Sequence, residues 1–394
     1  MKQRFFQKLQ RLISCVVALL GMFLLTGFTL PSWLGGESIV LPPLEPVQST
    51  LKTNTLWTRH AVGGNGGEFL MFKPSVDENH VYVSDAKGNV VSLNRETGKL
   101  DWSVHLKKAP LVAGPVLGEG QLFLSSSTEG VFSLDPATGK TLWHESIPGE
   151  VITRPSYGEG VVIVKNIDGV LFALDASKGK LLWRYEEGAP RLLLQGGSAP
   201  VIEGGVVLAA FANAKLVILN LKNGKLIWQS MVAQPNGLTE LTRMVDVRAK
   251  PTIVDGVIYV VSYQGNVSAI RLESAELLWM HPLSSITGAA VSSDTVYVSD
   301  TEGYVWAFDK SNGQVLWQQQ GLKGRTLTRP VILGNYVMVA DLQGLFHWLS
   351  VTDGHFVERQ SLSKKGFVVA PLVMDDIVYL QDKDGTVTAE QLAS

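Results

Sequence analysis

Seven histidines and one closely spaced aspartate pair are the side chains of this chain best suited to metal chemistry. Zinc enzymes place histidines at spacings such as H-E-x-x-H, and none occurs among His60, His80, His105, His144, His281, His347 and His355. The stretch "QDKDG" sets Asp382 and Asp384 two residues apart, as a calcium loop begins, but the distant glutamate of such a loop is missing. We therefore expect no metal site, no catalytic residue and no bound cofactor.

Cysteine and charge exclude further classes of function. Cys15 is the only cysteine, so no intramolecular disulfide can form, and there is no C-x-x-C-H stretch for covalent haem attachment. A formal net charge of −2 supplies no basic field for nucleic acid. A structural or protein-binding role is what these observations leave.

A glycine followed four residues later by a tryptophan is the recurrent pattern of the chain. It occurs in "TGKLDW", "TGKTLW", "KGKLLW", "NGKLIW" and "NGQVLW". Two further copies are degraded: Ala275 replaces the glycine before Trp279, and Glu358 stands where a tryptophan belongs. Eight apolar runs, each opened by a glycine or by Ala214, accompany these copies between Gly88 and Gly385, at a mean spacing of about 42 residues.

This period, built of short β-branched runs, predicts an all-β fold: an eight-bladed β-propeller with four antiparallel strands per blade. The turn before each tryptophan joins the third and fourth strands, so the tryptophan begins the outer strand. Because one small sheet cannot bury both its faces alone, we expect inter-blade packing by Trp57, Trp102, Trp143, Trp183, Trp228, Trp279 and Trp317.

The two ends of the chain predict how the ring closes. Eight apolar runs meet only seven downstream outer-strand segments, and the missing outer strand is found in "TNTLWTRHAV" around Trp57. We expect this amino-terminal strand to complete the last blade, which removes free sheet edges. The propeller should then span residues 51–394.

The first fifty residues form a separate region. Lys2, Arg4, Lys8 and Arg11 precede a long uncharged apolar stretch, so residues 1–30 are expected to be a signal sequence or a signal anchor. Residues 31–50 are interpreted as a Pro-rich linker. The protein is therefore expected to be exported and membrane-associated.

Three connections from an outer strand to the next blade exceed the common length, and two of these three are neighbours. The first, "EEGAPRLLLQGGSAP", presents Leu192, Leu193 and Leu194 consecutively, and the second, "QPNGLTELTRMVDVRAKP", carries Arg243, Asp246 and Arg248. Extra length on one face of a repeat protein indicates a binding face, and an apolar centre beside mixed charges suits a protein interface. Alternatively, the leucines cap the core of the ring and the charges pair with each other.

Four stretches resemble the BamB family, the propeller subunits of the outer-membrane β-barrel assembly machinery. They are "RLLLQGGSAP", "LTRMVDVRAKP", "TRPVILGN" and "DLQGLFHWLSVTDGHFV", and the likeness covers nearly the whole chain after residue 50. The resemblance implies a non-catalytic scaffold at the periplasmic face of the outer membrane that aids assembly and insertion of β-barrel proteins. The family's lipid-modified cysteine is replaced here by Phe28, so a helix anchor is the alternative to a lipid anchor.

The resemblance also implies partners. The matching loops of the family dock onto the periplasmic domains of a BamA-type barrel subunit, which makes Leu192, Leu194, Gln195, Arg243 and Asp246 the contact candidates here. The family tends to have Arg at the position of Gln195 and Asp at that of Arg248. Unfolded outer-membrane protein precursors are a second candidate partner.

The same repeat frame is shared by quinone-dependent dehydrogenases, and a quinoprotein of that type is the alternative function. Those enzymes often carry a vicinal cysteine pair and bind calcium through acidic and amide side chains. The repeats here contain no cysteine, which favours the scaffold.

Overall fold

A computed structural model describes residues 41–66, 70–188, 197–211, 213–233 and 246–393. All regular secondary structure among these residues is β, and it lies in the compact unit Pro43–Ser394. The first half of the strands comprises β1 (Thr53–His60), β2 (Ser75–Val76), β3 (His80–Ser84), β4 (Asn89–Asn94), β5 (Leu100–His105), β6 (Val116–Gly118), β7 (Gln121–Ser126), β8 (Gly130–Leu134), β9 (Thr141–Glu145), β10 (Ser156–Gly158), β11 (Val161–Lys165), β12 (Val170–Asp175), β13 (Leu181–Glu186), β14 (Val201–Glu203), β15 (Val206–Ala210) and β16 (Lys215–Asn220). The second half comprises β17 (Leu226–Met231), β18 (Thr252–Val254), β19 (Val257–Val261), β20 (Asn266–Arg271), β21 (Leu277–Pro282), β22 (Ala289–Val291), β23 (Thr295–Ser299), β24 (Val305–Asp309), β25 (Val315–Gln319), β26 (Val331–Leu333), β27 (Tyr336–Ala340), β28 (Leu345–Ser350), β29 (Phe356–Ser361), β30 (Leu372–Met374), β31 (Ile377–Gln381) and β32 (Thr386–Leu392).

The strands form eight four-stranded antiparallel sheets, which are the blades of a propeller. Blades 1 to 7 are consecutive, from β2–β5 to β26–β29, and blade 8 has the order β30, β31, β32, β1. Trp57 in β1 pairs with Ala389 in β32, with a bulge between Thr55 and Trp57. The predicted eight-bladed fold and its closure by the amino-terminal strand are confirmed.

Burial differs between the strands of a blade because the two middle strands have neighbours on both faces. In blade 3, β11 and the first five residues of β12 are buried, whereas β13 has mostly exposed side chains. Strands covered on both faces have continuous apolar sequences rather than alternation. The middle strands therefore carry the core, and only the outer strands face solvent.

Each tryptophan at the start of an outer strand docks on the next blade. Its indole N–H donates to a backbone carbonyl of the next blade at 2.7–2.9 Å. In every case this carbonyl belongs to the second residue of the turn between the third and fourth strands of that blade. The pairs are Trp57 with Arg95, Trp102 with Pro136, Trp143 with Ala176, Trp183 with Leu221, Trp228 with Leu272, Trp279 with Lys310, and Trp317 with Val351.

A glycine in the turn favours this docking. Gly98 has a φ of +64°, and a Cβ atom added there would lie 2.6 Å from the ring of Trp57. A side chain would thus meet both backbone strain and the indole. Ala275, which replaces this glycine in blade 5, adopts the same left-handed conformation with a φ of 59°.

The degraded copy at Glu358 is explained by the ring closure. A tryptophan in β29 would have to dock on a turn between the third and fourth strands of blade 8, but those strands, β32 and β1, come from opposite ends of the chain. Instead, the segment before β1 lies on blade 7: the Ser49 hydroxyl donates to the Glu358 carboxylate, and the Thr50 N–H donates to the Val357 carbonyl at 3.0 Å.

The amino-terminal region before residue 41 lies outside the described residues, and with it the expected signal segment at 1–30 and Phe28. Across the described part of the chain, no helix has the length and apolar character to cross a bilayer.

Candidate functional site

The two long connections join blade 3 to blade 4 and blade 4 to blade 5. They run from the end of β13 at Glu186 to Val201, and from the end of β17 at Met231 to Thr252. Of the predicted contact residues, Leu192, Leu193, Leu194, Gln195 and Arg243 lie outside the described residues. Asp246 and Arg248, at the end of the second connection, are described.

The bases of these two connections are joined directly. The buried hydroxyl of Ser198, at the end of the first, donates to the carbonyl of Ala249, at the end of the second, at 2.9 Å. Asp246 begins the described return, where its backbone carbonyl accepts the N–H of Tyr263 at 2.8 Å. The two connections therefore leave the propeller from one continuous base.

Asp246 is a buried residue, only 4% exposed. Burial raises the pKa of its carboxyl group, and the charges of Lys165 and Arg248 oppose that rise. Burial also lowers the pKa of Arg248, against the effect of Asp246. The two predicted charges thus interact with each other and with Lys165 at the base of the loop.

Lys165, at the end of β11, lies beneath both connections and was not singled out from the sequence. Its ammonium donates to the Ala210 carbonyl at 2.8 Å, and its Cε would lie 3.3 Å from a Cβ added to Gly197. Burial lowers the pKa of Lys165 to about 8, and the negative charge of Asp246 counteracts this. The available signal was a lysine ending the buried run "VVIVK", where equivalent strands end in Ser, Ala, Val or Gln.

The residues first considered for metal chemistry have structural contacts. The Oδ1 atom of Asp382 accepts the N–H groups of Asp384 and Thr386, so this carboxylate caps a hairpin turn. Within the described ranges, no three His, Cys, Asp or Glu side chains cluster as metal ligands would.

His347 is a histidine in the interior of a blade. It is completely buried in β28, where its Nε2 lies 3.2 Å from the Asp341 carboxylate. Arg325 donates to the same carboxylate at 2.9 Å. A buried charge needs such partners, so this histidine belongs to a polar network inside blade 7.

The comparisons with known proteins agree with this architecture. The family model described as "Outer membrane protein assembly factor BamB" matches residues 50–113 and 86–319. The protein of that name from Salmonella typhimurium is 37% identical over 381 residues, which cover 94% of this chain and 97% of the relative. Its Escherichia coli counterpart is 36% identical over 379 residues, which cover 94% and 96%.

A solved structure shows the same fold. The crystal structure of BamB from Moraxella catarrhalis superposes with a TM-score of 0.78 at 24% identity, covering 86% of this chain and all of that one. The likeness to the Salmonella typhimurium and Escherichia coli proteins, which covers almost the full length of both chains, establishes the family. The chain belongs to the BamB family of outer membrane protein assembly factors.

Proposed function

We propose that this protein is a scaffold subunit of the machinery that assembles β-barrel proteins in the outer membrane, where it aids their assembly and insertion. The observation that carries the proposal is the match to proteins named outer membrane protein assembly factor along nearly their whole length. This chain has all eight blades and the closing strand, and these elements form the frame from which the binding loops would extend.

The site of action in this proposal is the periplasmic face of the outer membrane. Residues 1–30 direct export or anchor the chain, and the linker that follows is fastened to the propeller at its carboxyl end. Leu44 and Leu51 support this, since they pack against the cores of the last blades, and the Glu45 carbonyl accepts a hydrogen bond from Arg359 at 2.6 Å. The chain would then be attached to the propeller from residue 44 onward.

The partner in this proposal is a BamA-type barrel subunit, bound through the two long connections. Support comes from their shared base, where Ser198 contacts Ala249 and Lys165 lies between Gly197 and Asp246. Two loops that share one base would bring their contact residues to the same face of the propeller. Leu192, Leu193, Leu194 and Gln195 would form its apolar centre, with Arg243, Asp246 and Arg248 at the margin.

The role in this proposal is binding without catalysis. Unfolded barrel precursors would be a second, weaker partner, since an outer strand such as β13 is the last strand of its sheet and an extended chain could join its edge.

The test is co-purification of the partner with a double variant, Leu192→Glu with Leu194→Glu. Two carboxylates in a desolvated interface centre should abolish binding, whereas the thermal unfolding midpoint should stay unchanged. The matched control is Leu142→Glu with Leu226→Glu, which alters two exposed leucines of β9 and β17 and should leave binding intact. Retained co-purification by the first variant would reject the loop as the contact.

A further inference from the structure

Four cationic side chains occupy one repeat position around the axis of the propeller. Each stands directly before the proline that precedes an innermost strand of blades 1, 3, 5 and 7: Lys73, Arg154, Lys250 and Arg329. The intervening blades have a small residue at the same place: Gly114, Ala199, Gly288 and Ala370. This cation ring, as we call the four, comes at the end of the outer-to-inner connections, on the face that carries the two long loops.

The two arginines are held in place by neutral oxygens. Arg154 donates from Nε to the Gly114 carbonyl at 3.2 Å and from Nη2 to the Ser75 hydroxyl of blade 1 at 3.2 Å. Arg329 likewise donates from Nη2 to the Thr252 hydroxyl of blade 5 at 3.3 Å. Both guanidinium groups thus reach back across a glycine-bearing blade, which gives the ring an approximate two-fold repeat.

One of the intervening glycines makes room for this arrangement. A Cβ atom at Gly114 would lie 2.0 Å from the Lys73 carbonyl, and one at Gly288 would lie 3.5 Å from Cδ of Arg329. A side chain at Gly114 would overlap the backbone of Lys73, so this glycine permits the close approach of the two segments, whereas a Cβ atom at Gly288 would make only an ordinary contact with Arg329.

The pKa values of the two lysines in the ring are affected by the other cations and by no described carboxylate. Burial, and then the charges of Arg154, Arg329 and Lys250, lower the pKa of Lys73 to about 7. The side chain of Lys250 is exposed to solvent, and desolvation by the surrounding atoms, followed by the charges of Arg154 and Arg329, lowers its pKa to about 8. Among the described residues, no acidic group acts on the pKa of any of the four.

Donor capacity is left over at the same place. Within the described part of the chain, neither Lys73 nor Lys250 makes a side-chain hydrogen bond or ion pair, and the buried Nε of Arg329 has no hydrogen-bond partner. Clustered like charges with spare donors are unfavourable unless an anion joins them. Ammonium and guanidinium groups around one axis offer donors from several sides, as a multivalent oxyanion requires.

We propose that the cation ring of Lys73, Arg154, Lys250 and Arg329 binds a multiply charged oxyanion on the propeller axis. The arginines hold the oxyanion in a fixed orientation and the two lysines neutralise its remaining charge. Phosphate groups and polycarboxylates share this chemistry, and the experiment below separates them.

The test is isothermal titration calorimetry of the full chain at constant ionic strength, with pyrophosphate in one arm and citrate in the other. We expect one stoichiometric site, and we expect the double variant Lys73→Gln with Lys250→Gln to weaken it by about a hundredfold, roughly tenfold for each lost charge at close range. The matched control, Lys107→Gln with Lys140→Gln, removes two exposed lysines from the outer surface and should bind as the parent does.

Each outcome decides a point. Binding of pyrophosphate alone supports a phosphate-type ligand, binding of citrate alone supports a polycarboxylate, and binding of both supports recognition of charge. No binding in either arm, or binding that the Lys73→Gln and Lys250→Gln variant leaves unchanged, would overturn the proposal. Circular dichroism of each variant shows whether the propeller is folded, and Lys73→Arg, which keeps the charge, should retain binding.

Discussion

Trp57 closes the ring, and its replacement by alanine measures what that closure contributes to stability. The side chain is 9% exposed, packs between blades 8 and 1, and donates its indole N–H to the Arg95 carbonyl at 2.8 Å. Burial of a tryptophan is worth about 4–6 kcal/mol gross. Because Trp→Ala substitutions in cores cost about 3–5 kcal/mol, we expect a loss of about 4 kcal/mol for Trp57→Ala.

The assay is equilibrium unfolding in urea followed by circular dichroism. Trp57→Phe separates the two contributions, since it keeps most of the apolar area but loses the hydrogen bond to Arg95, and it should cost about 1–2 kcal/mol. Leu142→Ala is the control, because this leucine of β9 is 52% exposed and its truncation should change stability by less than about 0.5 kcal/mol. A loss below about 1 kcal/mol for Trp57→Ala would refute the role of this contact in ring closure.

Three further predictions concern strain and buried charge. Ala275→Gly should raise the free energy of unfolding by about 0.5–1 kcal/mol, because glycine adopts the φ of 59° without strain, and an unchanged urea midpoint would contradict this. Burial and neighbouring cations lower the pKa of Lys73 from 10.5 to about 7, so the fold disfavours the charged form of this lysine. Lys73→Met should therefore raise the thermal unfolding midpoint at pH 6, and this gain should shrink as the pH rises from 7 towards 10.5. A gain that grows with pH would contradict this reasoning. Lys165→Met should lower the free energy of unfolding by about 2–3 kcal/mol, because the buried carboxylate of Asp246 loses a neighbouring positive charge. Combining this change with Asp246→Asn should lower it by less than the sum of the two single changes. Strict additivity in urea unfolding would show that the two groups are not coupled.

The fold could be predicted because the repeat encodes it redundantly. The turn glycine, the tryptophan and the apolar run recur in most blades, and each reflects a contact that the propeller makes many times, such as Trp143 with the carbonyl of Ala176. The Trp57 strand could be assigned by counting alone, since one outer strand was missing at the carboxyl end.

The base of the candidate site was harder to predict because its contacts are not periodic. Lys165 and Ser198 meet the second connection through interactions specific to blades 3 to 5, which no repeat frame indicates. Ser49 and Thr50, which the sequence assigned to the linker, bind β29 of blade 7. They do so where a tryptophan would otherwise dock on blade 8, whose last two strands have no turn between them because they come from opposite ends of the chain. The buried His347 was missed for a related reason, since its partner Asp341 caps the turn before the strand in the same way as ordinary turn aspartates.

The most direct test of the proposed function is the amount of folded barrel protein in the outer membrane of the encoding bacterium after deletion of this gene. Heat-modifiable mobility on gels separates folded barrels from unfolded ones. We expect folded barrels to decline on deletion, and to recover when the full chain is supplied but not when the chain with Leu192→Glu and Leu194→Glu is supplied. Unchanged levels of folded barrels after deletion would contradict the role in outer-membrane protein assembly.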